Sequence, residues 1–158
     1  MKGFTLIELV ITTTIILLLS GSSLAAFLNY RDRRVINDDA ALVANRLRSV
    51  EVKATAVEVP AGCAGKTVNN YTVSYTSNTG TLTVAVNCTG STVQVPELSL
   101  SLTNSKFRTT GTVIFDSRTV SATPATLDMC SGNDSFSVSV NASANVTKPV
   151  YTYLAGGC

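Results

Sequence analysis

Residues 4–28 form an almost uninterrupted apolar run, and the one acid within it is Glu8. Read as a helix, about 25 residues extend roughly 37 Å, enough to cross a bilayer core of about 30 Å. A carboxylate in such a helix is costly and marks a functional site by default. The run is bounded by Lys2 and Gly3 before it and by the charged collar Arg31-Asp32-Arg33-Arg34 after it.

The chain beyond the run can form one domain with its own core, since about 128 of the 158 residues remain. Charged residues make up 14%, and the surface is built from Ser, Thr and Asn. A net charge of +2, dispersed along the chain, gives no indication of nucleic-acid binding. Histidine is absent, which excludes His-based catalysis and His-ligated metal. Neither a phosphate loop nor a zinc or calcium pattern occurs, so no catalytic residue, metal ligand or cofactor is expected. The collar arginines read as a membrane-proximal band or as inter-subunit ion pairs.

Beyond the collar, Ile36, Ala40, Val43, Leu47, Val50, Ala54 and Val57 recur at alternating spacings of four and three. This predicts one apolar seam on a helix that Pro60 and Gly62 end. Alternating segments then predict strands. Tyr71, Val73 and Tyr75 face Leu82, Val84, Val86 and Cys88 across a turn at Ser77-Asn78-Thr79-Gly80. Further strands are expected at 92–95, 98–103, 112–115, 136–140 and 150–153, with a long loop over 117–134 that holds Cys130. The helical seam needs a cover and so do the strand faces. The expected fold is therefore α+β: a long N-terminal helical spine, membrane-embedded in its first half, packed on an antiparallel β-sheet domain.

Gly3-Phe4-Thr5-Leu6-Ile7-Glu8 resembles the processing site of type IV pilins and type II secretion pseudopilins: a short basic leader, Gly before the cut, Phe after it, and an acid five residues into the mature chain. The chain departs from the family at Ala25, where many members carry Pro, and at Thr12-Thr13-Thr14. The resemblance implies that residues 1–3 are a leader, 4–30 a transmembrane and filament-core helix, and 31–158 a β-rich domain with the second half of the helix. It also implies a prepilin peptidase that cuts between Gly3 and Phe4, and N-methylation of Phe4. The implied partners are other pilins and the inner-membrane assembly machinery. The chain would be a single-pass protein of the bacterial inner membrane before assembly, then part of a homo-oligomeric filament at the cell surface. The new Phe4 amine, largely cationic at neutral pH, would neutralise Glu8 of its own or a neighbouring subunit. Residues 107–122 more faintly resemble the β domain of H-type minor pseudopilins.

Cys63, Cys88, Cys130 and Cys158 read as two disulfides made in an oxidising compartment. Four cysteines allow three pairings, and their spacing alone does not choose among them. The hairpin register places Cys88 near Asn69, within reach of Cys63 through Gly62 and Gly65, and so ranks Cys63–Cys88 first. That leaves Cys130–Cys158, which resembles the C-terminal disulfide loop of many type IV pilins. A different class of function is a secreted adhesin-like or carbohydrate-binding domain, its signal peptide cut before Ala26. Glu8 and the length of the apolar run disfavour it.

Overall fold

The computed structural model describes residues 5–158, apart from the side chains of 21–26 and 29. Gly3 and Phe4, and with them the expected cleavage site, lie outside the described residues. The chain divides into two compact units, Met1–Arg34 and Val35–Cys158.

The helical residues Leu6–Thr55 are α1, described side chain by side chain mainly over two stretches, 6–20 and 30–55. Thr5 caps its start, accepting from Glu8 N at 3.4 Å through Oγ1 and from Leu9 N at 3.2 Å through its carbonyl. The other end closes in a Schellman turn. Val57 N donates to the Ala54 carbonyl (3.2 Å) and Glu58 N to the Lys53 carbonyl (3.0 Å), with Val57 at φ 50°. The helix thus stops two residues before the last expected seam position, and Val57 turns out into solvent.

Ten strands come after it: β1 (Val68–Tyr75), β2 (Thr81–Cys88), β3 (Ser91–Gln94), β4 (Leu100–Ser101), β5 (Lys106–Phe107), β6 (Gly111–Asp116), β7 (Ser121–Ala122), β8 (Ala125–Ser131), β9 (Asp134–Val140) and β10 (Val150–Tyr153). They form two antiparallel sheets. One runs β3-β2-β1-β6-β7, with β4 also paired to β2; the other runs β10-β9-β8-β5. In the β1–β2 hairpin Tyr75 pairs with Leu82 and Val73 with Val84, and Val68 meets Cys88 after a slip next to Asn70. Gly80 is required in the turn because the Leu102 carbonyl lies where a Cβ would sit. Tyr75 fills the position a Cβ at Gly111 would take, and its ring packs 5.3 Å from that of Phe107, joining the two sheets.

Three expectations are corrected. The spine with a membrane-embedded first half on a single sheet is not observed. Among the described residues no helix is long and apolar enough to cross a membrane, and the strands make two sheets. Within residues 6–20 the apolar side chains are interrupted by hydroxyls and by one acid, Glu8. The loop expected over 117–134 contains β7 and β8, and Cys130 sits on β8. Leu127 and Met129 alternate inward there, flanking Asp128. Conversely, the clean alternation at 98–103 yields only the two-residue β4, because the Ser99 hydroxyl accepts from Val84 N (3.1 Å) where a backbone carbonyl would.

The core of Val35–Cys158 joins the helical seam to the inner faces of both sheets. Ile36, Ala40, Val43, Leu47, Val50 and Ala54 share it with Tyr71, Val84 and Phe115 from one sheet and with Leu127, Met129 and Val138 from the other. Burying each large apolar side chain contributes about 1.5–3 kcal/mol. Polar ties fix the helix in place around this core. Arg46 Nη1 donates to the Glu97 carbonyl (2.9 Å), and Ser105 Oγ donates to Asp39 Oδ2 (2.8 Å).

Candidate functional site

Residues 6–19 expose their apolar side chains on every side of the helix. Leu6 is 82% exposed and Leu17 72%, and Ile7, Ile11, Ile16 and Leu18 are likewise open. The hydroxyls among them are satisfied within the helix. Thr12 Oγ1 donates to the Glu8 carbonyl (2.9 Å), Thr13 Oγ1 to that of Leu9 (2.9 Å), Thr14 Oγ1 to that of Val10 (2.7 Å), and Ser20 Oγ to that of Ile16. The surface left to a partner is almost wholly hydrocarbon. Its one charge is Glu8, exposed in the first turn, and among the described residues no ion pair involves its carboxylate.

Sequence reasoning missed a local role for Glu8. Thr5-Leu6-Ile7-Glu8 is the S/T-x-x-E pattern that opens helices, and an acid in the first turn also complements the helix dipole. The pattern was readable at the start of the apolar run.

Within Val35–Cys158, Cys63 is joined to Cys88 and Cys130 to Cys158, with Cα separations of 6.0 and 5.6 Å. The first bridge ties the turn after α1 to the end of β2, and its two residues are buried. The second ties β8 to the residues after β10, with Cys130 buried and Cys158 exposed. Near the first bridge, Tyr71 Oη donates to the Glu58 carbonyl (2.7 Å), anchoring the chain as it leaves the helix. Burial, and then the charges of Glu58 and Glu97, raise the Tyr71 phenol above its ordinary pKa.

An open cleft of about 480 Å³ lies beside the second bridge, lined by Leu102, Asn104, Lys106, Ser131 and Asn133 among others. Lys106 is its only ionisable side chain, so it holds no acid–base pair. Among the described residues no cluster of His, Cys, Asp or Glu could hold a metal ion. No family model, curated protein or solved structure matches the chain. Chemically, then, the chain offers an apolar surface with one acid at its end, attached to a domain closed by cystines.

Proposed function

We propose that the chain is a structural subunit of an extracellular filament of the type IV pilin kind, assembling through its apolar N-terminal residues after a cut between Gly3 and Phe4. The reading covers major pilins, minor pilins and type II secretion pseudopilins alike. The observation that carries it is the all-round exposure of apolar side chains over residues 6–19, with Glu8 at their start. A helix that is hydrophobic all round is stable only when surrounded. The cystines support a place outside the cytoplasm.

In a filament core, an unpaired Glu8 carboxylate would cost several kcal/mol. The Phe4 amine of a neighbouring subunit offsets that cost only at one axial offset, so the pair selects register. The test is Glu8→Lys in cells that hold a prepilin peptidase and assembly machinery. Filaments are counted by electron microscopy and cleaved protein by immunoblot. The expected result is normal cleavage with filaments lost. Normal filaments from Glu8→Lys would remove Glu8 from the mechanism. A mature N-terminus at Ala26 would replace the reading with a secreted domain.

A further inference from the structure

We infer that the Cys130–Cys158 cystine is a thiol-exchange site. A low-molecular-weight thiolate attacks Cys158, Cys130 leaves as a thiolate, and Lys106 stabilises the charge that forms on it. Cys63–Cys88 is the closed, structural bridge. This chemistry does not depend on the filament reading.

The two bridges occupy different surroundings. Cys63 and Cys88 both belong to the hydrophobic core. The backbone around them is tied down: Cys63 N donates to the Pro60 carbonyl (2.8 Å), Lys66 N to the Cys63 carbonyl (2.9 Å) and Thr89 N to the Thr67 carbonyl (3.0 Å). Cys130 is buried without belonging to that core. Leu127 and Met129 point inward, so alternation along β8 turns Cys130 to the outer face of its sheet. Its partner Cys158 is exposed. The residues that lead to Cys158 are held through Leu154 N, which donates to the Asn133 carbonyl (2.8 Å), and Gly157 N, which donates to the Leu154 carbonyl (3.3 Å). The strand before them, β10, is exposed along its whole length.

This asymmetry sets the direction of exchange. A thiolate attacks one sulfur of a disulfide, the other leaves, and access decides which is attacked. Cys158 is the accessible one. Both cysteines line the open cleft of about 480 Å³, a volume within the range of small-molecule sites. The new bond joins the thiol sulfur to Cys158 Sγ. The Cys130–Cys158 bond breaks, and its electron pair goes to Cys130 Sγ. A second thiol then attacks the mixed disulfide and releases Cys158 as a thiolate. The two thiols end as one disulfide, and the cystine ends as two thiols.

Lys106 is placed to favour the departure. It pairs with Cys130 across β5 and β8. Directly opposed side chains in an antiparallel pair share a face, with Cβ atoms about 4.5–5.5 Å apart. Lys106 lines the same cleft and is its only ionisable side chain. Asp128, on the same face of β8, lies two residues further along the strand. A neighbouring cation lowers a thiol pKa, and a lower leaving-thiol pKa speeds exchange.

The test uses the full purified chain, with reduced glutathione as the thiol. Free thiols are trapped with iodoacetamide at timed intervals, and labels and adducts are mapped by peptide mass spectrometry. Cys130 should be labelled on the order of 100-fold faster than Cys63 or Cys88, because attack on that pair waits for local opening of the core. The first glutathione adduct should sit on Cys158. Near-UV circular dichroism should keep its folded signal while only this bridge is open. Lys106→Gln should slow the opening about threefold and Lys106→Arg should restore it, with Cys63–Cys88 unchanged in both. Bridges that open at equal rates, a first adduct on Cys130, or loss of the folded signal with this bridge alone overturn the inference. An unchanged rate in Lys106→Gln overturns the role of Lys106.

Discussion

Leu17 and Leu47 are the same side chain in helical backbone, yet Leu17 is 72% exposed and Leu47 is wholly buried. The difference lies in what surrounds each along the sequence. Around Leu47 the apolar residues recur at three and four, leaving Asn45, Arg46, Arg48 and Ser49 on the other faces. One stripe can be covered by one domain, and the inner faces of two sheets cover it. Around Leu17 the apolar residues point in every direction, so no single face can be chosen for burial. Such a helix needs several neighbours at once, which one copy of this chain does not supply among its described residues. Periodicity thus separates a segment that folds into its own domain from one whose apolar side chains share no single face to bury.

The comparison is broken most severely at the cystines, both of which belong to Val35–Cys158. With separations of 25 and 28 residues, each bridge contributes roughly 3–4 kcal/mol by restricting the unfolded chain. Losing both removes an amount comparable to the entire stability of a typical domain. The quadruple variant Cys63→Ala, Cys88→Ala, Cys130→Ala and Cys158→Ala should be largely unfolded at 37 °C by near-UV circular dichroism. A folded quadruple variant would show that the core holds the domain alone.

A gentler test uses the two leucines themselves. Leu47→Ala should cost the domain about 2–5 kcal/mol, through lost burial and the cavity left behind. Leu17→Ala should stay within about 0.5 kcal/mol in the same denaturant titration, because its side chain is largely exposed. Equal losses from both would mean that residues 6–19 are part of the domain's core.

The features legible in the sequence were local ones. The seam from Ile36 to Ala54 and the hairpin from Tyr71 to Cys88 could be read because their periods repeat within a few residues. The second sheet was hidden because β8 shows its inward residues only as Leu127 and Met129, on either side of Asp128, and its pairing with β9 through Val138 and Phe136 is evident only once both strands are placed. Val57 fitted the spacing of the seam, but the helix ends in a turn whose Glu58 carbonyl accepts from Tyr71, and no local pattern reports that contact. For the candidate site, the apolar surface and Glu8 were plain in the sequence. The capping role of Thr5 was equally plain and went unread, because the same residues also fit a processing motif.

A smaller loss than that of Leu47→Ala sharpens the comparison at the point where the helix leaves the domain. Tyr71→Phe keeps the buried ring and removes only the hydroxyl that donates to the Glu58 carbonyl, at a cost of about 1 kcal/mol. The raised phenol pKa sets the sign of the pH dependence. The folded chain holds the Tyr71 proton more tightly than the unfolded chain does, whose phenol titrates near the ordinary value of about 10. This contribution to stability is therefore fully present below about pH 10 and is lost as pH rises through the folded value. Tyr75, whose phenol is also raised by burial, adds a limb of the same sign. Tyr71→Phe should accordingly lower stability at neutral pH and shallow the decline above pH 10 without abolishing it, as read by urea midpoints across the alkaline range. An unchanged alkaline decline would mean that the Tyr71 hydroxyl does not hold the end of the helix to the sheet.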